Sequence, residues 1–222
     1  MSEPQTKRPR WKRAILNLLL LIVLLLLLVV LVVMFLAGQR PGFYLGHSER
    51  NREKLARDAY EFNRKAQDFL SAVWSERAFP LELTEAEVNG YLAAINDDDI
   101  WKQLPLKFEA WRKMFTSDWL RDVQVSFRNG RVTVAGEVTW ARCDLVLSVI
   151  GVPQVDKDGR VTLDVSAVRA GWLPLPRVLL REFLSSIQER PIPASAGHWR
   201  VISVTVQDGK ATLLGGPAPG KD

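Results

Sequence analysis

A chain of 222 residues carries 30 Lys and Arg against 25 Asp and Glu, eight tryptophans and a single cysteine. One cysteine excludes an internal disulfide, so an exported domain would have to be held by its core alone. The net charge of +5 does not signal nucleic acid: residues 1–13 hold a net +4 and residues 38–222 only +1, which leaves no basic footprint on the domain.

Residues 14–37 form an apolar run of 24 residues broken only by Asn17. About 20 such residues cross a bilayer core, and the apolar stretch of a secretory signal is shorter. No small-residue cleavage site and no lipid-accepting Cys follow at Leu36-Ala37-Gly38-Gln39. The run is therefore expected to be an uncleaved transmembrane signal anchor, integral to the lipid bilayer. Lys7, Arg8, Arg10, Lys12 and Arg13 crowd its N-terminal side, whereas Arg40 is the one Lys or Arg within ten residues beyond it. That asymmetry predicts a cytoplasmic basic tip over 1–13, a single pass through the cell (inner) membrane, and an extracytoplasmic remainder. Trp11 before the run, with Phe43 and Tyr44 after it, suits the aromatic belts at the two membrane interfaces. Residues 38–47 hold three glycines and Pro41 and read as a flexible joint.

The domain is expected over 48–215. Leu55, Ala59, Phe62, Ala66, Phe69 and Val73 recur at steps of three and four, which puts them on one stripe of a helix over 48–76. Such a stripe suits a core helix lying on a sheet, and its spacing also suits a coiled-coil seam. FPLELTEAEVNGYLAAI then reads as a short strand and a second helix, whose start is fixed by a capping box of Thr84 and Glu87. Val88, Tyr91, Leu92 and Ile95 form its buried face. The acidic residues at 97–99 are adjacent rather than spaced as cation ligands are, so they read as a solvated helix end.

After a stretch containing Trp101, Trp111, Phe115 and Trp119 the period changes to two. Val123, Val125 and Phe127 alternate, Asn129-Gly130 turns the chain, and Val132, Val134, Val138 and Trp140 follow; this is the strongest short hairpin signal. Further strands are expected about Leu145–Val149 and Val161–Ala167, with a turn at Asp158-Gly159. A last hairpin turns at Asp208-Gly209. Between them, AGWLPLPRVLL sets Trp172, Leu173 and Leu175 at a strand-to-helix corner. Pro176 starts a helix that shows Leu179, Leu180, Phe183, Leu184 and Ile187 on one face. Residues 216–222 read as a disordered tail. The fold class that results is α+β: an N-terminal transmembrane helix, then a curved antiparallel meander sheet wrapping a long helix.

Chemistry is sparse. His47 and His198 keep no metal spacing with another ligand, Cys143 lies in a strand context, and no nucleophile elbow, phosphate loop or Cys-x-x-Cys occurs. No catalytic residue, metal or cofactor is expected, and the chain reads as a non-enzyme. The helix, LTEAEVNGYL, the hairpins NGRVTVAGEV and DGRVTLDV, and finally GWLPLPRVLL resemble the YpmS-type and LmeA-like bacterial envelope proteins. Those are similar to the tubular lipid-binding superfamily, in which a curved sheet wraps a helix around an apolar cavity. The resemblance covers 48–215 and implies a lipid ligand; the segment 101–119 has no counterpart in it. The expected function is binding of a lipid or amphiphile in an apolar cavity lined by Trp119, Trp140, Trp172, Leu173, Leu175 and Phe183. The alternative is a structural scaffold of the cell envelope that uses the 55–73 stripe to join a protein partner or a second copy.

Overall fold

The computed structural model describes residues 10–46, 51–107, 112, 120–140, 143–157, 159–176 and 199–217. The apolar run is one continuous helix, α1 (Arg10–Ala37), and Leu18–Ala37 within it is long and apolar enough to cross a membrane. Helix α2 (Arg52–Trp74) starts where Asn51 accepts a hydrogen bond from the Lys54 N–H. Strand β1 (Phe79–Thr84) leads into α3 (Glu85–Asn96) through the expected capping box, in which Thr84 and Glu87 bond each other's backbone N–H. A short helix α4 (Asp98–Gln103) follows. The strands are β2 (Arg121–Arg128), β3 (Arg131–Trp140), β4 (Cys143–Val155), β5 (Val161–Ala170), β6 (Leu173–Pro174), β7 (Trp199–Gln207) and β8 (Lys210–Pro217).

The architecture is α+β with antiparallel pairing throughout, but the strands form two sheets rather than one meander. One has the order β1-β8-β7, the other β2-β3-β4-β5-β6. The β2–β3 and β7–β8 hairpins turn at the expected residues. At the end of the larger sheet, the Asn129 N–H donates to Asp208 at 2.7 Å and the Gly209 N–H to the Phe127 carbonyl at 2.9 Å. At the same end, a Cβ on Gly159, in the β4–β5 turn, would lie 2.6 Å from Cβ of Arg200 on β7. Strand β7 thus crosses the end of the larger sheet at these turns. Strand β8 continues to Pro217, two residues into the segment expected to be a tail.

The long helix does not lie wrapped in a sheet. Its stripe packs on α3 and β1, and α3 in turn covers β2. Ala59, Phe62 and Ala66 are buried with Tyr91, Leu92, Ile95, Trp101, Val123, Val125 and Phe127 in one core. Phe62 stacks on Tyr91 with ring centroids 4.4 Å apart, and Trp101 tilts against the same ring at 6.0 Å. A coiled-coil seam along 55–73 would require α2 to leave this core. Gly90 lets the two helices meet: a Cβ there would lie 2.7 Å from the Ala59 nitrogen and 2.9 Å from the Leu55 carbonyl oxygen. The α2–α3 crossing is a backbone-to-backbone contact.

Strand β2 is an edge strand, yet the outward backbone groups of Val125 and Phe127 are taken. Asn89 of α3 accepts from the Val125 N–H at 2.6 Å and donates to the Val125 carbonyl at 2.8 Å. Glu85 accepts from the Phe127 N–H at 2.9 Å. This occupation is the physical reason the sheet stops at β2 and the remaining strands pair apart, since an open edge would recruit another strand. Asn63, fully buried in α2, clamps Leu106 in the same bidentate way at 2.7 and 2.8 Å.

Candidate functional site

Within the segment 38–47, read as a joint, residues 38–46 lie as a strap across the larger sheet, on the face opposite α3. Tyr44 is 4% exposed and packs on Ala135 and Val146, with Phe43 beside it. Its hydroxyl donates to the Asp122 carbonyl at 3.0 Å. Gln124 of β2 then clamps Leu45, accepting from its N–H at 3.1 Å and donating to its carbonyl at 2.8 Å. Arg40 pairs with Glu137 at 3.3 Å, an exposed contact that contributes little. The strap contacts β3, β4 and β2, and hydrogen bonds to β2 fix its end. Tyr44 is therefore not available to an interfacial belt. The side chains of Trp11, Arg10, Lys12 and Arg13 lie outside what the structure describes, as do residues Lys7 and Arg8.

The corner that closes the other side of the strap is Gly171-Trp172. Gly171 has φ +56°, and a Cβ on it would meet the carbonyl oxygens of Gln39, Ala37 and Leu36 at 2.5, 2.6 and 2.6 Å. Its N–H donates to Val146 at 2.7 Å, and the Trp172 N–H donates to the Leu36 carbonyl at 3.0 Å. The last carbonyls of a helix lack intrahelical partners. Here the domain supplies one of the donors itself. Where such an end emerges from hydrocarbon, an unsatisfied carbonyl costs several kcal/mol.

Trp172 does not line an interior cavity: it is 63% exposed. Leu173 and Leu175 are half-buried at the corner. Trp140 places its backbone in β3 opposite Cys143, but its side chain lies outside the description, and Trp119, Phe183 and the helix expected after Pro176 fall outside the described residues. The structure does not bring the described members of that group together around a void.

A cleft of about 900 Å3 lies elsewhere, between the strap, the start of α2 and the start of α3. Phe43, Leu45 and Leu55 give it an apolar side. Lys54, Asp58, Glu85 and Arg128 give it a charged one, and Asn89 and Gln124 line it while clamping β2 and the strap. Trp172, Leu173 and Leu175 do not line it. Among the described residues, Lys54 and Arg128 have no ion-pair partner, and no group of three His, Cys, Asp or Glu could hold a metal. His47 and His198 lie outside the described residues. The cleft offers an amphipathic surface, on which Thr84 and Asp208 also lie.

No family model, curated protein or solved structure matches the chain.

The acidic run after α3 is structural. Asp97 caps α4 by accepting from the Asp99 and Ile100 N–H groups. Arg52 bridges Asp97 and Asp99 at 2.9 Å each, and Arg112 pairs with Asp98. Hydrogen bonds from Arg52 hold the Asp97 carboxyl below the usual carboxylate range, against an opposing effect of burial. Burial alone would push the Glu87 carboxyl up, but hydrogen bonds from Lys65 and from Thr84 outweigh it and hold it low. Carboxyls with depressed folded values stabilise the fold above their unfolded pKa of about 4, and that stability is lost as pH falls through the folded value. Stability is thus expected to be level at neutral pH and to drop below about pH 4. Lys65→Met removes the contact at 2.8 Å to Glu87, so in urea titrations across pH stability at neutral pH should fall and the Glu87 share of that acid loss should shrink. An unchanged acid profile would contradict the pairing.

Sequence reasoning missed Asn63, Asn89, Gln124 and Gly171. The signal available for the three amides was a polar side chain set among buried neighbours: Asn63 beside Phe62, Gln124 between Val123 and Val125.

Proposed function

We propose that the chain is a single-pass inner-membrane protein with a cytoplasmic N-terminus, whose extracytoplasmic, non-enzymatic domain binds a lipid-like amphiphile at the membrane surface. The observation that carries this reading is the strap, which supplies Phe43 and Leu45 to an amphipathic cleft a few residues beyond the end of α1. An amphiphile needs apolar and polar contacts within one site, and the cleft combines Leu45 and Leu55 with Lys54 and Arg128. Its volume falls in the range of about 300–1,000 Å3 common for small-molecule sites. The resemblance to envelope lipid binders supports the same ligand class, with the guest in this cleft instead of about Trp172.

Native mass spectrometry of the full chain released from membranes tests it. Lipid adducts are expected on the wild type and are expected to be lost in Ala86→Trp, which fills the cleft from an exposed position on α3. A bare chain, or adducts unchanged by Ala86→Trp, would contradict the assignment.

A further inference from the structure

Most large apolar side chains exposed on this protein belong to α1, as expected for a helix in lipid. Trp172 is an exception with a particular address. Its own backbone N–H is bonded to the Leu36 carbonyl, in the last turn of α1. A 24-residue apolar run is about 36 Å long at 1.5 Å per residue, somewhat more than a hydrocarbon core of about 30 Å. Leu36 therefore stands at the boundary between hydrocarbon and headgroups, and Trp172 shares its level. An indole is suited to that layer, with an apolar ring for the acyl chains and an N–H for the polar groups. Nothing flexible intervenes, because Gly171 is pressed against three carbonyls of the helix end and strap. Pro174 and Arg169, paired in the adjoining β5–β6 ladder, are exposed as well.

We infer that the 171–174 corner is a bilayer-docking surface, with Trp172 inserted into the interfacial layer beside the exit of α1 and fixing how the domain faces the membrane. This rests on the reading of α1 as a membrane span. The occupant is the phospholipid interface, since the corner is continuous with the exit of α1. The consequence is orientation: α2 leads away from this end, and Trp74 at its far end is 83% exposed.

The test uses the full chain in phosphatidylcholine nanodiscs, with Cys143→Ser as background and one fluorophore on each of three single-cysteine variants. Trp172→Cys reports the corner, Trp74→Cys the far end of α2, and Leu25→Cys the middle of α1. Lipids carry a nitroxide either near the headgroup or deep in the tail. The label at 172 is expected to lose the larger part of its emission to the headgroup-level quencher and less to the deep one. The label at 74 is expected to keep its emission with both, and that at 25 to lose it to the deep quencher. Quenching at 25 without quenching at 172 overturns the docking surface and leaves the anchor standing. Equal quenching at 172 and 74 overturns the fixed orientation. Absence of quenching at 25 overturns the anchor, and the docking surface with it.

Discussion

Gly90→Val will destabilise the domain by about 3 kcal/mol, the upper end of what overpacking a well-packed interior costs. The added carbons would enter space held by the Ala59 nitrogen, Cβ of Asp58 and the Leu55 carbonyl, at 2.7, 2.7 and 2.9 Å from the first of them. Two of these three are backbone atoms of α2, so relief requires the helices to separate and the Phe62–Tyr91 stack to open. Gly42→Ala is the matched control, because a Cβ there meets nothing within 4 Å; it should change stability by under about 0.5 kcal/mol. Urea unfolding of the full chain in detergent, followed by tryptophan emission, compares the two. Equal midpoints would mean that α2 and α3 do not cross on Gly90.

Asn89→Ala should cost nearly as much, about 3 kcal/mol, by a different route. It removes both hydrogen bonds to Val125 at once. What matters more than the lost bonds is the pair of backbone groups left unsatisfied against α3, each worth about 1–3 kcal/mol when desolvated. The variant also bares the middle of an edge strand, so self-association should rise with concentration. Asn89→Asp separates the two roles. A carboxylate still accepts from the Val125 N–H but cannot donate to its carbonyl, so an intermediate loss is expected. If Asn89→Ala unfolds at the wild-type urea concentration and remains monodisperse, the edge clamp has no energetic role.

Much of the fold was legible in the sequence because it is written in local signals. Helix α1 needed only the length of its apolar run, α3 the Thr84–Glu87 pair, and the hairpins their Asn-Gly and Asp-Gly turns. The stripe of α2 correctly gave its buried face, but periodicity does not say what covers that face; α3 covers most of it and strand β1 the rest, where a sheet alone was expected. Breakage into two sheets was illegible, since it depends on Asn89 and Glu85 reaching an edge that lies 36 and 42 residues away in sequence. The contacts of the strap were illegible for a related reason. Gly38, Pro41, Gly42 and Gly46 mark a segment without regular structure, but its order comes from Gln124, 79 residues downstream of Leu45. Trp172 shows the same limit: its apolar ring suggested an interior, while it lies exposed beside Leu36 where α1 ends.

Helix α1 and the domain form one ordered unit, joined by the strap and the Gly171 corner. Hydrogen exchange of backbone amides in the full chain, reconstituted in nanodiscs, tests it most directly. The Leu45, Gly171 and Trp172 N–H groups donate to Gln124, Val146 and Leu36 respectively, and should exchange as slowly as amides within the β3–β4 ladder. Gly171→Ala, which places a methyl against three carbonyls, should release Trp172 to fast exchange while that ladder stays protected. Exchange of Leu45 and Trp172 at the rate of an unstructured chain in the unaltered protein would contradict the account.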